Sequence, residues 1–456
     1  MQSTDLNQLF SSCRTGTSQP SNNMEARTEY QRDYDRVIFS SAFRRLQNKT
    51  QVFPLPGSIF VHSRLTHSLE VSSVGRSFGN LIGASLVKTY GTDFTEESRS
   101  FYSFDFANVL ATACLCHDIG NPAFGHAGED AIAGFFRKNS ELSNYFTPAE
   151  WEDLIRFEGN ANAIRVLTQS PMQKDEGGLQ LTYATLCSVA KYPCESIASD
   201  KKIVHRKKFG FFQSEKEVFK KIAEHTSMKQ FSEQPRIYLR HPFVWLVEAA
   251  DDICYNITDL EDAHRLGIIE HSVCVDLLRS LINELSIDDR TVIDQKLDRI
   301  LDKNDKISYL RAKSIAALTM CSQEIYLNNI SGFLEGTYHQ SIFDTIRKKS
   351  ETLTRIIDFS IENVYNHTQV VEIENAGYHI ISELLSLFIP SIIIPEEKRE
   401  VSDKKAIRLL PQQYGREGAS ESVKIQGVVD YISGMTDNLA TDLYRRIKGI
   451  EMGMKM

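Results

Sequence analysis

Eight cysteines are scattered along the chain, at positions 13, 114, 116, 187, 194, 254, 274 and 321, and none forms a CxxC pair. No disulfide framework is expected, and a reducing compartment suits these thiols. Positive charge is not in excess either: 52 Lys and Arg stand against 60 Asp and Glu, for a formal net charge of −8. The overall field therefore repels anions, which disfavours a protein that coats nucleic acid. Any phosphate ligand must be held by local cations. Long apolar runs are missing as well. The longest, Leu384 to Ile394, is interrupted by Pro390 and falls short of the roughly 20 residues that cross a bilayer. The stretch from Met1 to Pro20 is polar and rich in Ser and Thr, unlike a signal peptide or anchor. It reads as part of a loose arm over residues 1–25. By elimination, a cytoplasmic protein without membrane attachment is expected.

What is present is ordinary for a folded domain. Of 456 residues, 41% are hydrophobic and 25% charged, enough for a sizeable core. Apolar residues recur at helical spacing in Tyr30–Val52, Leu65–Tyr90, Phe106–Ile119, Gly125–Phe136, Phe157–Thr168 and Pro242–Leu266, and on to about residue 395. Glu396–Gln426 is polar and reads as irregular, and Val428–Ile447 reads as a final helix. Strand signals are few and short. The fold class is therefore mainly α, with a core over 26–270 and a helical C-terminal region, 271–456, packed on it. A basic insertion around 195–210 carries Lys201, Lys202, His205, Arg206, Lys207 and Lys208. It reads as an exposed segment, either a solvated loop or a contact for nucleic acid or an effector.

Chemistry concentrates at Cys116-His117-Asp118-Ile119-Gly120. A histidine followed by an aspartate at the end of an apolar helix puts a nitrogen ligand and an anionic oxygen about 100° apart around the axis, so the pair can straddle an ion. Alone, such a dipeptide means little. His67 lies on an upstream helix, however, and Asp251 follows Val247, Ala249 and Ala250 on another. A carboxylate there is costly to bury unless it is paired or metal-bound. The order His, His-Asp, Asp on three helices supplies two nitrogens and two carboxylates around one ion. That set accepts Mg, Mn, Fe, Co or Ni and leaves positions open for water and a phosphate oxygen.

This ordered quartet resembles the HD phosphohydrolase superfamily. Longer stretches are similar to its deoxyguanosine triphosphate triphosphohydrolase family: Asp35-Arg36-Val37-Ile38, Ala42 to Phe53, His117 to Glu129, Phe157-Glu158-Gly159-Asn160-Ala161 and Asp430 to Asp437. Residues 270–425 match only loosely. The resemblance implies a helical HD bundle elaborated by additional helices, with His67, His117, Asp118 and Asp251 as ligands of a divalent metal. It implies water attack at the α-phosphorus of a deoxynucleoside triphosphate, releasing deoxynucleoside and inorganic triphosphate. His126 and Glu129, three apart on one helix face, become a general acid–base pair. Arg64, Lys191 and Tyr192 become polyphosphate contacts, and Gln51 a contact to sugar or base. Asp251, Tyr255 and Asp259, spaced i, i+4, i+8, share a face, and the resemblance implies that Tyr255 packs against the deoxyribose and Asp259 binds its 3′-hydroxyl. Arg44 and Arg45 read as structural. The family also implies a homo-oligomer, often a hexamer, and a single-stranded DNA or nucleotide effector.

Two other readings stand beside this one. An HD-type nucleotidase acting on other nucleotides would release orthophosphate or pyrophosphate. A regulatory or single-stranded DNA-binding protein on an HD scaffold has only the Lys201–Lys208 run in its favour.

Overall fold

The computed structural model describes residues 5–17, 27–53, 61–169, 177–285, 290–415 and 418–451. It is mainly α-helical. The two strands among the described residues, Gln230–Glu233 and Arg236–Tyr238, make one small antiparallel hairpin.

Two helices form the centre. α1 (Arg64–Tyr90) begins at Ser63, whose hydroxyl accepts the backbone N–H of Thr66 while Thr66 returns a bond to the cap. This reciprocal arrangement satisfies two donors that a helix start leaves unpaired. α1 buries Val71, Val74, Phe78, Ile82 and Leu86 on one face. α2 (Phe106–Cys116) is buried on all sides from Val109 onward, as its almost unbroken apolar sequence requires. Gly75, Gly79 and Gly83 of α1 face α2 and the turn before it. A Cβ on Gly79 would lie 2.3 Å from the Cα of Ala107, and one on Gly83 2.2 Å from the carbonyl oxygen of Tyr102. Glycines spaced by four therefore let the two backbones touch, which fixes the distance between their functional ends.

Around this pair lie α3 (His126–Lys138), α4 (Gly159–Thr168) and α5 (Val244–Arg265). The apolar interior forms two clusters. The larger runs from Leu6 to Val370 and includes α1, α2 and α5. The second joins α3 to α6 (Thr368–Ile393), α7 (Glu421–Ser433) and α8 (Asp437–Ile447).

Several expectations are corrected. Residues 5–17 are not loose: Leu6, Leu9 and Phe10 are buried, and Phe10 stacks on Phe101 at 3.9 Å. Arg14 pairs with Glu29 and Asp33, both at 2.5 Å. The few apolar residues of a polar stretch carry that packing, since each buried side chain stabilises by about 1.5–3 kcal/mol. The polar stretch 396–426 contains a helix, Val401–Leu409. The final helix is two helices, broken at Gly434 and restarted by Thr436, whose side chain caps the N–H of Leu439. Pro390 sits inside α6, in keeping with helical patterning to about residue 395. α6 is long and apolar enough to cross a membrane by length and composition, and half of its most apolar window is buried in the protein.

Candidate active site

His67 sits in the first turn of α1 and is fully buried. His117 and Asp118 follow the last residue of α2, in a turn whose Gly120 packs directly on α4. A Cβ there would meet Ala163 N at 2.1 Å. Asp251 projects from α5. One ligand atom each from His67, His117 and Asp118 lies within 4.8 Å of the others, a candidate site for a metal ion. Asp251 Oδ1 stands 3.1 Å from His67 Nε2 and 3.4 Å from His117 Nε2.

The donor set fits a cation. His117 Nδ1 lies 2.6 Å from the carbonyl oxygen of Cys114. A carbonyl only accepts, so Nδ1 carries a proton, and the ring in its neutral form turns a lone pair on Nε2 inward. That Nε2 is buried without a hydrogen-bond partner, facing oxygens of Asp118 and Asp251 at 3.4 Å each. Lone pairs aimed at one point repel unless a positive charge joins them. The two carboxylates draw positive charge to this point: burial disfavours a charged His117 ring, yet Asp118 and Asp251 raise its pKa to about 9, favouring a proton on Nε2 where a bound cation would take its place. Burial likewise opposes ionised Asp251, but His117 and His67 bring it down to about 2. The adjacent Asp252 is pushed the other way, to about 8, by burial.

His117, Asp118 and Asp251 open onto a cavity of about 300 Å³ also lined by His126, Glu129, Lys191, Tyr192, Lys207, Lys208 and Glu248, among others; fully buried His67 does not line it. A second cavity, about 310 Å³ and bordered by Arg45, Arg165 and Asp430, contains none of the ligand residues. Lys207 and Lys208 come from the basic insertion, which folds as short 3₁₀ turns. Lys201 and Lys202 are exposed, whereas Lys208 reaches Glu158 at 3.0 Å and Glu129 at 3.9 Å. The insertion is thus split between solvent and cavity.

His126 and Glu129 both border the cavity but are not oriented by one another. Glu129 Oε1 accepts the N–H of Gly159 at 2.7 Å, and a Cβ on Gly159 would lie 2.6 Å from that oxygen. Burial and Glu158 push the Glu129 carboxyl up to about 8. Desolvation, Lys208 and Arg64 lower the pKa of His126, which favours its neutral form. Arg64 is committed to Asp118 at 2.5 Å. Lys191 lies 3.3 Å from Glu248.

Tyr255 and Asp259 continue along α5 from Asp251. There they meet Tyr365, whose hydroxyl donates to Asp259 Oδ2 at 2.9 Å and whose ring stacks on Tyr255 with centroids 5.4 Å apart. Burial pushes the Asp259 carboxyl well above the usual range. Gln51 is not among the cavity-lining residues, and its side-chain oxygen is buried without a partner. Tyr365, Glu248, Lys207 and Lys208 were not singled out as site residues from the sequence. The two lysines carried a signal in their charge, but Tyr365 reaches Tyr255 and Asp259, which like Gln51 are not among the cavity-lining residues, only through tertiary packing.

The C-terminal segment 430–437 braces the site from behind. Asp437 accepts the N–H groups of Thr50 (2.8 Å) and Phe124 (3.0 Å). Buried Lys49 donates to the carbonyls of Asn121 (2.5 Å) and Ser433 (3.1 Å). Asp430 grips Arg165 of α4 with both oxygens. Arg44 and Arg45 donate to backbone carbonyls, Arg45 to that of Gly434 at 2.9 Å.

A helical bundle that gathers two histidines and a following aspartate in this way defines the HD class of phosphohydrolases. Residues 64–184 match the HD domain, and residues 346–446 the phosphohydrolase-associated domain. A deoxyguanosinetriphosphate triphosphohydrolase-like protein of Synechocystis sp. is 38% identical over 98% of this chain and 99% of its own. One of Listeria monocytogenes is 34% identical over 94% and 96%. A deoxyguanosinetriphosphate triphosphohydrolase of Yersinia enterocolitica is 30% identical over 92% and 94%. The chain belongs to the deoxyguanosinetriphosphate triphosphohydrolase-like family.

Proposed function

We propose that the protein hydrolyses deoxynucleoside triphosphates, dGTP foremost, to deoxynucleoside and inorganic triphosphate. The observation that carries this reading is the convergence of His67, His117, Asp118 and Asp251 at one end of a lysine-lined cavity. The names of the relatives support the choice of base and product.

His67, His117, Asp118 and Asp251 would hold a divalent ion, Mg, Mn or another transition metal such as Fe, Co or Ni. When bound, that ion supplies charge compensation at the α-phosphate and acidifies water. The protein's own groups account for the remainder. Lys191, Lys207 and Lys208 offset the charge of the polyphosphate, which the net-negative chain would otherwise repel. As water oxygen bonds to the α-phosphorus, the bond from phosphorus to the 5′-oxygen breaks. Neutral His126 takes a proton from the water and delivers it to the departing 5′-oxygen. Glu129, pinned by Gly159 and Lys208, shapes the field around that histidine. Arg64 keeps Asp118 ionised and aligned. Tyr255, backed by Tyr365, packs on the deoxyribose, and Asp259 meets the 3′-hydroxyl. A ribose 2′-hydroxyl would crowd the ring or lose its water without replacement.

Product analysis tests the reading. The purified protein is incubated with Mn or Mg and each deoxynucleoside triphosphate, or GTP, and products are resolved by ion exchange. Deoxyguanosine with intact triphosphate is expected. Orthophosphate or pyrophosphate would move the protein to another HD activity.

A further inference from the structure

We propose that Arg240 and Glu248 are positioning residues that hold Lys191 ready for a polyphosphate chain, an inference resting on the triphosphate reading above. Arg240 is almost fully buried, 4% exposed, and its guanidinium spends every face. Nη1 donates to Glu248 Oε2 at 2.7 Å, Nε to the carbonyl oxygen of Lys191 at 2.7 Å, and Nη2 to that of Val204 at 3.3 Å. The plane lies over Trp245, 4.6 Å from the ring centroid, and 5.3 Å from that of Tyr192. The other oxygen of Glu248 stands 3.3 Å from Lys191 Nζ. One arginine therefore grips Lys191 twice, directly at its backbone and through Glu248 at its ammonium.

This arrangement is poorly explained as core stabilisation. A buried Arg–Glu pair carries a desolvation cost that packed apolar side chains avoid. It is well explained as preorganisation. A lysine is a point charge on a flexible four-carbon stem, and fixing it in advance spares that ordering on the way from bound substrate to transition state. Glu248 occupies one of three ammonium donors, leaving two for phosphate oxygens. The bond to Val204 extends the same brace into the basic segment that delivers Lys207 and Lys208 to the cavity. The carboxylate's charge opposes an incoming anion, so its contribution is the geometry it imposes on Lys191.

The test is Glu248→Gln, alone and combined with Lys191→Ala, assayed with dGTP. Removing a negative charge from an anion's cavity cannot weaken long-range attraction, so KM stays level or falls. Loss of the fixed lysine lowers kcat about tenfold. In the Lys191→Ala background the same substitution changes kcat less than twofold, because the group it acts through is already gone. A kcat unchanged by Glu248→Gln, a KM that rises, or a tenfold loss that recurs beside Lys191→Ala overturns the proposal. Arg240→Lys, which keeps the charge but not the forked geometry, is expected to reproduce the kcat loss without raising KM; full activity would count against the role of Arg240. If the wild-type protein releases no triphosphate from any deoxynucleotide, the functional reading fails. If it does and the two substitutions act additively, only the positioning role fails.

Discussion

Asp251 and His117 meet across the gap between two helices, with Asp251 Oδ1 3.4 Å from His117 Nε2, although they stand 134 positions apart in the chain. The histidine's other nitrogen is tied to the Cys114 carbonyl, so the ring cannot turn away from the carboxylate. A backbone bond thereby fixes which nitrogen faces the site, and the site's affinity for a cation follows from that tautomer.

His117→Ala should remove metal binding and turnover together, with activity falling by more than the roughly 10–100-fold that loss of an outer supporting group costs. Metal content by elemental analysis, measured beside dGTP hydrolysis, checks this. Near-normal activity would sink the whole site assignment.

Tyr255→Ala should relax selection against ribonucleotides more than it changes metal affinity. The ratio of kcat/KM for dGTP over GTP is expected to drop by about tenfold or more, a size in keeping with loss of one shape contact. An unchanged ratio removes the tyrosine from sugar selection.

Gly79→Ala places a methyl group 2.3 Å from the Cα of Ala107, a backbone atom that cannot step aside. We expect roughly 1–3 kcal/mol of destabilisation and weaker metal binding, because α1 carries His67 and α2 leads into His117. Denaturant unfolding and metal titration would both shift. An unaltered stability would mean the helices can separate freely.

His62 bonds Asp262 at 2.8 Å and approaches Glu70 at 3.3 Å. Burial opposes its charge, yet these carboxylates raise its pKa from 6.5 to about 10. A pKa raised on folding stabilises fully below the unfolded value and is lost as pH climbs through the folded one. His62→Gln should therefore cost roughly 3 kcal/mol at pH 6, and the difference from wild type should shrink between pH 6.5 and about 10. A penalty that stays constant across that window would contradict the ion-pair origin.

The split basic insertion separates two effects. Lys207→Ala with Lys208→Ala should depress turnover, since these lysines border the cavity. Lys201→Ala with Lys202→Ala should spare it, because neither lysine borders the cavity. If single-stranded DNA is an effector held by this segment, the second pair should reduce the salt dependence of oligonucleotide affinity by about one to two ions. Equal salt slopes in polarisation titrations would dissociate the exposed lysines from DNA.

Much of this protein was legible in the chain itself. Helical periodicity marks the main helices because burying one face leaves a repeat near 3.6 residues. The order His67, His117-Asp118, Asp251 stands out because ionisable groups on apolar helices need a reason to be there. Folding settled what spacing cannot express. It paired Arg64 with Asp118, gave Glu129 to Gly159 and Lys208, and brought Tyr365, from a region that matches the family only loosely, onto Tyr255. It also packed Leu6, Leu9 and Phe10 from a stretch whose composition reads as loose. Local propensity and periodicity act over a few residues and are written in sequence. Contacts between residues from about thirty to more than a hundred positions apart depend on how closely two backbones approach, and here the glycines of α1 that face α2 set that distance only once the helices are packed.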